Sequence, residues 1–231
     1  MSGESADVVH LAAGDDEAHP ASVERHPGRG PQGRPWHRGR VERLSSREVY
    51  ANSWMSVRED RIRRPDGTDG IYGVIDKPTY ALVIPRDGDR LQLVEQFRYP
   101  VGRRRWEFPA GTAPERAAQD PAELAIRELA EETGLVAGRM ELIGHLDVAP
   151  GMSSQLGTVW LATELVEGPA EREHSEQDMR AAWFSTAEFE AMCRRGEITD
   201  AQSLAAYLLL RLHDDNPNRG TGRAAGVTVS P

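Results

Sequence analysis

Cysteine is nearly missing from this chain. The single one, Cys193, excludes an internal disulfide and any zinc site built from several cysteines. It sits in EFEAMCRRGE, a helical pattern, and reads as a packing or surface residue rather than a nucleophile. Positive charge is short as well: 28 basic residues face 37 acidic ones, for a formal net charge of -9. That balance argues against a general binder of nucleic acid or of anionic membranes, since both tasks need a basic surface. No apolar run approaches the roughly 18 residues that a membrane helix takes. The N-terminus has no charged-then-apolar signal pattern, so a soluble cytoplasmic protein is expected. No internal repeat is visible.

What remains is enough for one good core. With 231 residues and 39% hydrophobic content, a single domain is expected. Residues 1–44 are rich in Gly, Pro, His and charge, with no hydrophobic period beyond VVHLAA at 8–13, and predict a disordered N-terminal tail. This segment is acidic up to Glu24 and arginine-bearing afterwards. Residues 215–231, DNPNRGTGRAAGVTVSP, predict a loose C-terminal tail. Between them, 45–214 is organised sequence. WMSVREDRIRR (54–64), the turn Pro65-Asp66-Gly67 and GIYGVID (70–76) read as a β-hairpin. TYALVIP (79–85) is a buried-strand run, and LQLVEQFRYP (91–100), MELIGHLDVAP (140–150), LGTVWLATEL (156–165) and RAAWFS (180–185) are further strands. TAEFEAMCRRG (186–196) and DAQSLAAYLLLRLHD (200–214) predict helices, the second with an apolar face from Leu204 through Leu208 to Leu212. Strands around one central helix, with helices closing the C-terminus, fit a mixed α+β sandwich.

That central helix lies in residues 120–135, DPAELAIRELAEETGL. Asp120 suits an N-cap, Pro121 the first helical position and Gly134 the stop. On a helical wheel Ala122, Ile126, Leu129 and Thr133 share a side predicted to face the core. Glu128, Glu131 and Glu132 share another, spaced so that their Cβ atoms stand about 5–6 Å apart. Three like charges repel, and the C-terminal end of a helix disfavours anions further. Arg127 can offset Glu131 and Glu123 but not the rest. Two readings follow: a solvated acidic face, or a site for a hard divalent ion, Mg²⁺ or Mn²⁺, which prefers oxygen donors.

The wording of the segment favours the second. RELAEETGL (127–135) resembles the second half of the Nudix box, G-x5-E-x7-R-E-U-x-E-E-x-G-U with U aliphatic, at every specified position. Gly111 stands where family members have their loop glycine. The first half departs: Gly111 to Arg127 is two residues longer than the pattern, so that either Gln119 replaces the first Glu or Glu115 stands in across an insertion. EQFRYPVGRRRWEFPAG and GEITDAQSLAAYLLL are similar to the ADP-ribose pyrophosphatase branch. The resemblance covers about 45–214, with 47–77 as an N-terminal β segment and 111–135 as the box. It implies a Nudix α/β/α sandwich with a mixed sheet and an N-terminal β-hairpin extension, often exchanged in a homodimer.

It also implies residue roles. Glu128 and Glu132 match the principal metal ligands and Glu131 the helper, the Ala110 carbonyl often joining them. Arg127 matches the arginine that orients a box glutamate. Arg98 resembles a substrate-phosphate contact, or is a surface strand cation. From its position just before the loop, rather than from the resemblance, Glu107 is expected to hold the metal shell or the loop. Trp54 is either an aromatic platform for the base, if the hairpin pairs across a dimer, or a structural residue. For the general base, Gln155 in PGMSSQ cannot take a proton, and GPAEREHSEQDM offers Glu171, Glu173, Glu176 and Asp178, with Glu176 and then Glu173 preferred. His145 and His174 stay unassigned. The expected activity is Mg²⁺-dependent cleavage of a nucleoside diphosphate linked to another moiety, ADP-ribose to AMP and ribose 5-phosphate first. Nucleotide sugars such as GDP-mannose, dinucleotides, and a regulatory domain that binds without turnover are the alternatives.

Overall fold

In the computed structural model, which describes residues 40–113, 119–168 and 178–217 and the backbone of 226–228, the organised chain opens with a small antiparallel sheet. Its strands are β1 (Glu42–Ala51), β2 (Ser56–Arg63) and β3 (Asp69–Asp76), in that order across the sheet. The predicted hairpin is β2 and β3, and β1 joins it as a third strand. Because β1 starts at Glu42, the expected tail 1–44 ends earlier than its sequence suggested. The reason is physical: β1 is exposed along nearly its whole length, so no hydrophobic alternation announces it. Backbone pairing to β2 holds it, with register shifts at Arg43/Ser45 and Glu48/Tyr50.

The remaining elements are β4 (Tyr80–Asp87), β5 (Arg90–Arg98), a 3-10 turn (Tyr99–Val101), β6 (Arg103–Glu107), β7 (Ala110–Thr112), α1 (Pro121–Thr133), β8 (Leu135–Asp147), β9 (Leu156–Glu167), β10 (Arg180–Ser185), α2 (Thr186–Arg195), α3 (Ala201–Asp214) and β11 (Gly226–Thr228). They build an eight-stranded sheet in the order β10-β5-β4-β9-β8-β11, with β6 on β5 and β7 on β4. β4 and β9 run parallel and the other pairs antiparallel, so the sheet is mixed. β11 corrects the expectation of a loose tail over 215–231, because 226–228 pairs with the edge of β8.

Period-2 alternation along the central strands divides the core in two. Leu82 and Ile84 of β4 and Val159 and Leu161 of β9 point to one side, against Phe189 and Met192 of α2 and Ala206 and Leu210 of α3. Ala81 and Val83, with Trp160 and Ala162, point to the other, against Leu124, Ala125 and Leu129 of α1. Helices on both faces of one sheet make the α/β/α sandwich that the sequence predicted. Cys193 packs at the margin of the first cluster, where burial pushes its thiol pKa up.

Two helix faces differ from the wheel readings. On α3 the buried residues are Ser203, Ala206 and Leu210, while Leu204, Leu208 and Leu212 are 40%, 59% and 59% exposed. On α1 they are Leu124, Ala125, Glu128, Leu129 and Glu132. Two of the three glutamates therefore lie on the buried side, rather than opposite it.

Candidate active site

Local chemistry fixes α1. The Asp120 side chain accepts hydrogen bonds from the backbone N–H of Ala122 and Glu123 at 2.8 and 3.2 Å, satisfying donors a helix start leaves open. Gly134 ends it at φ +71°, a left-handed value that costs glycine little. These stops seat Glu128 and Glu132 one turn apart, 6% and 1% exposed, against β7. Burial at that level excludes a solvated acidic face for this pair.

Glu132 Oε2 accepts the Ala110 N–H at 3.2 Å. Glu128 lies so close over Gly111 that a Cβ there would be 2.2 Å from Oε2. Arg127 holds the pair from the side: its Nη2 donates to Glu128 Oε1 at 3.0 Å and to the Thr112 carbonyl at 3.4 Å. Its Nε stands 3.7 Å from the Glu131 carboxylate. Glu131 is thus turned toward Arg127.

Beside β7 opens a cavity of about 810 Å³. Of the residues singled out from sequence, Trp54, Arg98, Glu107, Ala110 and Glu128 line it, as does Gln155, while Glu131 and Glu132 do not. Glu132 stands behind the Ala110 backbone. Trp54 is 68% exposed and lines the cavity within its own chain. Gln119 precedes the α1 cap and lies away from the cavity lining. Glu115, Glu171, Glu173, His174 and Glu176 fall outside the described residues. Asp178, the remaining acid of that loop, is paired with Arg104 at 2.5 Å.

Arg98 and Glu107 form a two-pronged pair, Nε to Oε1 at 3.1 Å and Nη2 to Oε2 at 2.5 Å. Desolvation works to lower the guanidinium pKa, but the Glu107 hydrogen bonds and the charges of Glu107, Glu132 and Asp200 outweigh it and hold it above its ordinary value. The Tyr80 hydroxyl is buried without a hydrogen-bond partner among the described residues. Burial, with Asp200 nearby, pushes its pKa far up, so it stays a neutral phenol.

Among the described residues no three His, Cys, Asp or Glu side chains gather as a ready metal nest. Two carboxylates do stand at neighbouring residues of β7, Glu128 over Gly111 and Glu132 on the Ala110 N–H. That all-oxygen set fits Mg²⁺ or Mn²⁺, since Mg²⁺ is usually held through one or two carboxylates with substrate phosphate and water completing its shell. Gly111 supplies the space: any side chain there would displace the Glu128 carboxylate.

Sequence reasoning missed Lys77, Tyr80 and Asp200, all of which line the cavity. Tyr80 and Asp200 carried no signal, one lying in the apolar run 79–85 and the other at the start of the helical pattern 200–214. Lys77 did carry one: it is the only lysine in the sequence.

Comparison with known proteins bears on the family and the fold. Residues 41–75 match the nucleoside diphosphate sugar hydrolase N-terminal domain, and residues 76–207 match the NUDIX domain. An ADP-ribose pyrophosphatase of Mycobacterium tuberculosis is 36% identical over 169 residues, covering 72% of this chain and 81% of that protein. An ADP-ribose pyrophosphatase of Bacillus subtilis is 25% identical over 173 residues, covering 74% and 92%. The crystal structure of an ADP compounds hydrolase superposes with a TM-score of 0.67 over 83% of this chain and 100% of that one. Its 18% identity makes it a likeness of fold. No helix among the described residues is long and apolar enough to cross a membrane.

Proposed function

The chain belongs to the NUDIX family as a Nudix pyrophosphohydrolase, and on that footing we propose that it cleaves ADP-ribose to AMP and ribose 5-phosphate with Mg²⁺ or Mn²⁺. The observation that carries this reading is Glu128, buried over Gly111 at the wall of a cavity that also holds Lys77 and Arg98, with Glu132 buried one turn on against the Ala110 backbone. Anions and cations at one cavity suit a substrate that is itself an anion bridged to cations.

In this proposal Glu128, Glu132 and the Ala110 carbonyl hold the ion, and Glu131 assists from the Arg127 side. When bound, such an ion neutralises phosphate charge and acidifies water. The chain's own residues do the positioning. Arg127 fixes Glu128, and Glu107 fixes Arg98 while leaving Arg98 Nη1 for a phosphate oxygen. Trp54 offers its ring to the base. Water attacks a phosphorus of the diphosphate, the bridging P–O bond breaks, and the departing phosphate keeps the bridging oxygen. Glu176, or else Glu173, is proposed to take the water's proton. A homodimer belongs to the same proposal, supported by Val49, Tyr50, Ile71 and Tyr72, all exposed on the β1-β2-β3 sheet. A monomeric mass by light scattering would remove it.

A second reading, a nucleoside diphosphate sugar as substrate, is favoured by the match of residues 41–75. Turnover of ADP-ribose, GDP-mannose, NADH and diadenosine polyphosphates, each with Mg²⁺ and with EDTA, separates the two. ADP-ribose is expected to give the highest kcat/KM, and only with the metal. Glu132→Gln keeps an acceptor for the Ala110 N–H, and is expected to fold normally while kcat drops by orders of magnitude. Unchanged activity in that variant overturns the assignment of the site.

A further inference from the structure

The chain has 28 basic residues, and 27 of them are arginines. The one lysine, Lys77, stands on the connection from β3 to β4 and lines the cavity beside Arg98. Its ammonium has no carboxylate within 4.0 Å among the described residues. The nearest acid in sequence, Asp76, is already engaged, receiving Arg58 Nε and the Ser154 hydroxyl at 2.6 Å each. Arg98, the neighbouring cation, is neutralised by Glu107. Every ion pair among the described residues that involves a side-chain cation other than histidine uses arginine, whose planar fork suits carboxylates. Lysine differs in being a compact point charge with three donors that turn freely.

Resting on the pyrophosphohydrolase reading, we infer that Lys77 binds a phosphate oxygen of the substrate's diphosphate. The connection that carries it is pinned in place: Gln155 Nε2 donates to the Pro78 carbonyl at 3.0 Å, and Ile75 pairs with the 152–154 segment through two backbone hydrogen bonds. The backbone that carries Lys77 is therefore fixed beside the cavity that its side chain lines. Crowding lowers its pKa, first by desolvation and then through Arg98. A diphosphate relieves both causes, since it supplies anionic acceptors and screens the two cations from each other. The ammonium would then take up charge on a phosphate oxygen, complementing the metal ligands.

Kinetics and chemical protection test this together. Lys77→Met is expected to raise KM for ADP-ribose about 10- to 100-fold, the range of one lost charged hydrogen bond. Its kcat and thermal midpoint are expected to stay close to wild type, and Lys77→Arg to fall between the two in KM. Because Lys77 is unique, acetic anhydride followed by peptide mass spectrometry reports on it alone, apart from the α-amine. Inorganic pyrophosphate with Mg²⁺, and separately the α,β-methylene analogue of ADP-ribose, are expected to slow its acetylation several-fold. A KM within twofold of wild type in Lys77→Met, or acetylation unchanged by both probes, overturns the inference. If wild-type enzyme fails to hydrolyse ADP-ribose, the substrate reading fails, and the pyrophosphate protection arm alone decides on Lys77.

Discussion

The Cβ that Gly111 lacks would fall 2.2 Å from Glu128 Oε2 and 2.4 Å from its Cδ. A loop glycine and a helix glutamate seventeen residues apart are thus fitted to one another, and the fit sets where the carboxylate stands. Gly111→Ala is expected to fold, because its φ is not in the left-handed region and the obstacle is the end of a flexible side chain. The carboxylate must move, so activity is expected to drop at least about tenfold, a displacement cost typical of misplaced catalytic groups. Wild-type kcat at every Mg²⁺ concentration would show that Glu128 has no fixed position to lose.

Arg98 and Glu107 make a sharper stability prediction. The Glu107 side chain is 8% exposed and that of Arg98 42%. Arg98→Ala leaves a nearly buried carboxylate without its cation. Breaking a fully buried pair costs about 3–5 kcal/mol, and the open side of Arg98 reduces this to about 1–3 kcal/mol. Urea unfolding measures it, and a variant as stable as wild type would mean that the pair is not formed in solution.

Acid is expected to loosen the β1-β2-β3 sheet. Burial alone would raise the Asp60 carboxyl, but hydrogen bonds from Ser46 and Arg58 and the Arg58 charge outweigh it and hold the pKa below the usual carboxylate range. A group depressed in the folded state contributes stability above its unfolded pKa and loses it as pH falls through the folded one. The loss therefore belongs to the region below about pH 4. Asp60→Asn is expected to flatten the fall in stability there, read by circular dichroism across an acid titration. Parallel curves for the two proteins would refute the coupling.

The two leucine sets of α3 offer a direct contrast. Leu210 is 3% exposed and Leu208 59%. Leu210→Ala is expected to cost about 2–5 kcal/mol, as buried leucines do, and Leu208→Ala to stay within about 0.5 kcal/mol. Thermal denaturation compares them, and equal losses would mean that α3 is rotated from the packing described.

Capping and turn chemistry were legible from residues alone. Asp120, Pro121 and Gly134 bracket α1 because N-caps and left-handed stops depend on backbone sterics within a few residues. The apolar run at 79–85 became β4 for a related reason: a strand buried on both faces needs no partner to be recognised. The polar strand β1 and the late strand β11 were not legible, since each exists through pairing with a distant segment.

By itself the sequence determined the acidic helix, its limits, and the family wording from Arg127 to Leu135. Tertiary structure decided which way that helix turned, placing Glu128 and Glu132 inside and leaving Glu131 to Arg127. It also left Leu204, Leu208 and Leu212 open to solvent and put the lone lysine at the cavity. The reason is that a cap is a property of neighbouring residues, whereas burial and charge balance belong to whatever surface the rest of the chain brings against them.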